Sequence, residues 1–69
     1  MEKLREYRRR SGLSMEALGK KIGVSMHSIF RWEVGKSSPT AKELVQLAVV
    51  LNVTPNELLG VNTEGGEAL

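Results

Sequence analysis

The sequence predicts an all-α domain, a bundle of five short helices, and three observations carry that reading. Gly, Ser, Thr and Pro cut the 69 residues into five segments whose apolar residues recur every three or four positions, and none alternates as a strand does. Hydroxyl residues suited to helix N-caps (Ser14, Ser25, Thr40, Thr54) open four of the segments. Glycines (Gly12, Gly23, Gly35, Gly60) follow four of them, where a left-handed residue stops a helix.

The first helix is expected from about Glu2 to Arg10, with Leu4 and Tyr7 on one face and Lys, Arg and Glu elsewhere. The second opens at Ser14, places Glu16 where the helix dipole favours a carboxylate, and turns Leu18 and Ile22 inward before Gly23. The third runs from Ser25 to about Glu33 with Ile29 and Trp32 inward. After the polar loop Lys36-Ser37-Ser38-Pro39, the fourth begins with a capping box, Thr40-x-x-Glu43, and its apolar face is Ala41, Leu44, Leu47, Ala48 and Leu51. A second capping box, Thr54-Pro55-Asn56-Glu57, opens a short fifth helix holding Leu58 and Leu59. Residues 1–60 form the domain. Residues 61–69, with two glycines and two glutamates, are expected to be a flexible tail.

Composition excludes most chemistry. There is no cysteine, one histidine, and all eight acids are glutamate. No disulfide framework, no thiolate metal site and no Ser-His-Asp triad is possible. The chain is expected to be no enzyme and to need neither metal nor cofactor. No stretch approaches the ~20 apolar residues that cross a bilayer, and the charged N-terminus is no secretory signal. A cytoplasmic protein, with no membrane partner, is the expectation.

The net charge of +2 conceals an asymmetry. All ten Lys and Arg lie within residues 1–42 beside four glutamates, so that part is +6; residues 43–69 hold four glutamates and no base, hence −4. Such a split points to a polyanion partner for the basic part.

Residues 15–34 carry the function. Only Gly23-Val24 separates the second and third helices. A small residue, Gly19, stands where two closely crossing helices need one, and Gly23 suits a turn with positive φ. Leu18, Ile22, Val24, Ile29 and Trp32 occupy the inward positions. This is the pattern of a helix-turn-helix, whose second helix enters the major groove of DNA. At 100° per residue, an inward Ile29 and Trp32 turn His27, Arg31 and Val34 outward, with Phe30 on the flank. Arg31 is suited to a bidentate contact with guanine; a salt bridge or a phosphate contact is the other use open to it.

The strings LREYRRRSGLS, LGKKIGVS, SIFRWEVGKSSP and LNVTPNELL, in this order and spacing, resemble the lambda-repressor-like, Cro/Xre family of helix-turn-helix regulators. The resemblance covers Leu4 to Leu59 and implies sequence-specific binding of double-stranded DNA by a small transcriptional regulator, a repressor of bacterial, plasmid or phage type. It implies that Met26, His27 and Arg31 contact bases. It implies that Ser14, Met15, Ser25, Ser28, Lys36, Ser37 and Ser38 meet the phosphate backbone, and that Arg8 pairs with Glu33 inside the protein. The chain departs from the family at Met15, where Gln is frequent, and at Met26, where polar or basic residues are. Methionine makes no useful hydrogen bond to a base edge but packs on a thymine methyl. Phe30 is expected to cover a neighbouring helix, with a thymine methyl or a protein as its other uses.

A homodimer is the usual way for such a domain to read two half-sites, with Leu51, Val53, Leu58 and Val61 open to two uses, dimer contacts or core. The alternative function is a protein-binding adaptor, an antirepressor or antitoxin, using Met26, His27 and Phe30 as an apolar contact patch on the same scaffold.

Overall fold

Side-chain hydroxyls open four of the five helices. In the computed structural model, which describes residues 1–60, the Oγ of Ser14 accepts from the Ala17 N–H at 3.0 Å and opens α2 (Met15–Ile22). The Ser25 Oγ accepts from the Ser28 N–H at 3.3 Å and opens α3 (Met26–Val34). Both capping boxes form. Thr40 and Glu43 exchange bonds of 3.1 and 2.9 Å at the start of α4 (Ala41–Leu51). Thr54 and Glu57 exchange bonds of 3.1 and 2.7 Å at the start of α5 (Pro55–Leu59). Each satisfies amides that a helix N-terminus leaves without a partner. Only α1 (Leu4–Arg10) lacks a side-chain cap, and it begins two residues later than its sequence suggests.

The stops follow the same logic. Gly23, Gly35 and Gly60 close α2, α3 and α5 with positive φ. Helix α4 ends instead at Asn52, φ 58°, the one non-glycine residue in the left-handed region among those described. Asparagine enters that region more readily than other side chains.

Every helix sends at least one side chain into a single core: Leu4, Leu18, Ile22, Ile29, Trp32, Leu47, Ala48, Leu51 and Leu58. Tyr7, Leu13, Met15, Val24, Leu44, Val50 and Val53 pack around it, half-buried. The closest pairing is α2 against α3; α1 lies on α3 and α5, while α4 holds α2 and α5. Residues 1–60 thus form an all-α five-helix domain with its helix-turn-helix at α2–α3.

Two expectations need correction. Ala41 is exposed, because the first turn of α4 projects past the core. Leu51 and Leu58 are buried core residues, so they offer nothing to a second copy. The exposed apolar side chains of this half are Val45, Val49 and Leu59. The tail expected over residues 61–69, with Val61, lies outside the described residues.

Candidate nucleic-acid interface

The geometry of the α2–α3 turn decides what α3 can present. A Cβ on Gly19 would lie 2.6 Å from the Val24 carbonyl oxygen and 3.3 Å from the Ser25 carbonyl group. Only glycine admits so close an approach of the turn to α2. Gly23, at φ 81°, reverses the chain, and the Val24 N–H then donates back to the Gly19 oxygen at 2.9 Å. This brings Ser25 directly to the start of α3, whose inner face is fixed by Ile29 and Trp32.

The outer face of α3 has two flanks. His27 and Arg31, one turn apart, form the polar flank, and both are exposed. Met26, Phe30 and Val34, at successive i+4 positions, form the other, each 41–44% exposed. Phe30, expected to cover a neighbouring helix, is 41% exposed and lies between Met26 and Val34 on this flank. The continuity of this apolar stripe was legible in the i, i+4, i+8 spacing.

The free cations are fewer than the sequence count. Glu6 takes Lys3 at 3.7 Å and Arg10 at 2.5 Å, and Glu16 takes Lys20 at 3.8 Å. Glu33 takes Arg5 and Arg8. Among the described residues Arg9, Lys21, Arg31, Lys36 and Lys42 have no acidic partner, and the last three follow the turn. Lys36, Ser37 and Ser38 are exposed in the loop after α3, and the Lys36 N–H donates to the Arg31 oxygen at 2.9 Å, which folds this loop back on the end of the helix.

Arg8 and Glu33 come together beneath the site. The Arg8 Nε donates to one Glu33 oxygen at 2.5 Å, Nη2 donates to the other at 3.3 Å, and Nη1 donates to the Leu13 carbonyl at 2.9 Å. The two side chains are 10% and 1% exposed. Arg5 adds a bond of 3.3 Å from the surface, a partner the sequence did not suggest. One carboxylate at the end of α3 is thereby tied to α1, and one guanidinium spans α1, the loop after it, and α3.

The remaining expected residues divide by burial. Ser14 and Ser25 are exposed and Ser28 is half-buried; the Ser14 oxygen accepts a cap bond and leaves its O–H to donate, while the Ser25 Oγ, besides its cap bond, shares a 3.4 Å hydrogen bond with the Ser28 Oγ. Met15 turns its side chain onto the core, which leaves its backbone N–H, in the first turn of α2, as the group directed outward. Among the described residues no group of three or more His, Asp or Glu side chains is placed to hold a metal, and no helix is long and apolar enough to cross a membrane.

Residues 4–58 match the family described as helix-turn-helix. The chain is 34% identical over 58 residues to repressor protein C2 of Salmonella phage P22, covering 84% of this chain but 27% of that repressor, so it spans about a quarter of the phage protein's length. It is 34% identical over 56 residues to an uncharacterised HTH-type transcriptional regulator of Archaeoglobus fulgidus, covering 81% of this chain and 80% of the regulator. A crystal structure of the P22 c2 repressor in complex with a synthetic operator superposes with a TM-score of 0.78 at 32% identity, over 81% of this chain and 85% of that one. The matched segment contains the Gly19 crossing, the Gly23 turn and all of α3, and on these grounds the chain belongs to the helix-turn-helix family of transcriptional regulators, in its lambda-repressor-like, Cro/Xre branch.

Proposed function

We propose that the chain binds double-stranded DNA sequence-specifically, with α3 in the major groove, and acts as a repressor in the cytoplasm. The observation that carries this reading is the placement of Arg31 and Lys36, neither with an acidic partner, beside an exposed α3 whose start is held rigidly against α2. Base contacts fall to Met26, His27 and Arg31. Phosphate contacts fall to the hydroxyls of Ser14, Ser25, Ser28, Ser37 and Ser38, the Met15 amide and the Lys36 ammonium. The α2 N-terminus adds its dipole, which favours a phosphate there. The role is binding without catalysis; the P22 c2 repressor is described as bound to a synthetic operator, which supports the same use of this surface.

The protein works as a homodimer in this proposal. An open groove lined by Val45, Val49, Val53 and Pro55 lies on the basic-poor half, so a second copy docking there leaves the α3 face free. Selection of purified protein against a random duplex library tests both parts. The expected result is an enriched palindrome whose half-sites are about one helical turn, ~34 Å, apart. No enrichment at any salt overturns the DNA reading. A single enriched half-site with no symmetric repeat overturns the dimer.

A further inference from the structure

We propose that the apolar flank of α3 is a reader of thymine methyl groups, with Met26 and Phe30 each seated on one methyl. The inference rests on the DNA reading above and says which bases that surface selects. Single exposed hydrophobes on a protein surface need no explanation, but three in a continuous row do. Met26, Phe30 and Val34 are 44%, 41% and 42% exposed and lie along one line of one helix. None of them can hydrogen-bond a base edge, and a major groove lined only with polar atoms would leave their surface desolvated without a match. The C5-methyl of thymine is the one apolar group that an unmodified base pair presents in that groove.

Residues four apart on a helix rise about 6 Å, and successive bases of a strand lie about 3.4 Å apart along the duplex axis. Met26 and Phe30 are therefore far enough apart to reach two different bases. A second DNA segment or a protein partner fits the surroundings less well. The stripe adjoins His27 and Arg31 on the same helix, and Lys36 follows one residue after Gly35, so the apolar row is embedded in a cationic, hydrogen-bonding face suited to a polyanion. Arg31 on the polar flank and the stripe on the other divide the reading between guanine and thymine.

The experiment uses the full chain and the duplex that the library selection enriches. Each thymine in turn is replaced by deoxyuridine, which removes one methyl and keeps every hydrogen bond. Replacement at two positions under α3 is expected to weaken binding about fourfold each, the effect of uncovering one methyl. In Phe30→Ala one of these sensitivities disappears, and in Met26→Ala the other does. Both residues are exposed, so the variants keep the fold, checked by thermal unfolding. Binding with equal affinity to thymine and uracil duplexes overturns the inference while the DNA reading stands, and assigns the stripe to a protein partner. So does an enriched site with no thymine under α3. Failure to enrich any duplex removes the DNA reading itself, so the two failures are distinct.

Discussion

Gly19 offers the sharpest test of how the helix-turn-helix is built. A methyl group there would sit 2.6 Å from the Val24 oxygen, where an ordinary contact is 3.4–4 Å, and the three atoms nearest it all belong to backbone rather than to a flexible side chain. The turn cannot retreat freely, because the Val24 N–H is bonded to the Gly19 oxygen at 2.9 Å. Forcing extra volume into a packed site costs about 1–3 kcal/mol, and loosening that bond costs about 0.5–1.5 more. Against this, replacing glycine inside a helix gains about 0.5–1 kcal/mol. The net expectation for Gly19→Ala is a loss of about 0.5–4 kcal/mol, centred on ~2, which in a domain of this size lowers the melting temperature by on the order of 10 °C. Gly23 is the control. Nothing lies within 4 Å of its absent Cβ, but its φ is 81°, so Gly23→Ala is penalised by conformation alone, about 1–2 kcal/mol, and Gly23→Asn by less. Asparagine should therefore be milder than alanine at position 23 and worse than alanine at position 19. The assay is thermal unfolding followed by circular dichroism on the four variants. A Gly19→Ala protein as stable as the parent, as an unencumbered helical glycine would allow, refutes the close-approach argument.

Glu33→Gln removes the charge that neutralises a guanidinium only 10% exposed, and breaking such a pair costs about 3–5 kcal/mol, a large part of the roughly 3–9 kcal/mol available to a 60-residue domain. Urea denaturation is expected to show a midpoint at half the parent's or lower, whereas the paired change Arg8→Met with Glu33→Leu recovers much of the loss, short of the Leu13 carbonyl that Arg8 no longer satisfies. A Glu33→Gln midpoint unchanged from the parent contradicts this account. Lys36→Ala is expected to lower affinity for all duplexes alike and to make the plot of log K against log salt shallower by about 0.9 per copy. An unchanged slope places Lys36 away from the phosphates.

Most of the fold was legible because its punctuation is local. Thr40-x-x-Glu43 and Thr54-Pro55-Asn56-Glu57 specify their own hydrogen bonds within four residues, and the structure forms both. The stop at Asn52 was missed because asparagine only tolerates the left-handed conformation that glycine advertises. Burial was less legible than helix position. Ala41 and Leu58 look alike as periodic apolar residues, yet one projects beyond the core and the other is wholly buried, and only the way α4 and α5 pack decides between them. The same holds at the site. The turn, the inward pair Ile29 and Trp32 and the outward Arg31 follow from 100° per residue, but whether Phe30 lies on a neighbour or stands free depends on how close α1 and α4 come to that flank.

Charge pairing explains why the apolar flank matters to this domain. A glutamate at contact distance cancels the far field of its cation, and at physiological salt what survives beyond about 8 Å is set by the charges left over. Glu6, Glu16 and Glu33 offset three of the five charges on Lys3, Arg5, Arg8, Arg10 and Lys20, the side chains they pair with. Only Arg31 and Lys36 of the remainder belong to α3 and its following loop, and with Arg31 on a guanine in the proposed complex Lys36 alone displaces counterions from about one phosphate per copy, a salt slope of roughly −0.9. Electrostatic attraction that weak holds any duplex poorly. Discrimination then has to come from groups that gain nothing from a generic phosphate chain, and a row of methyl-sized apolar contacts beside one guanine-reading arginine has that property.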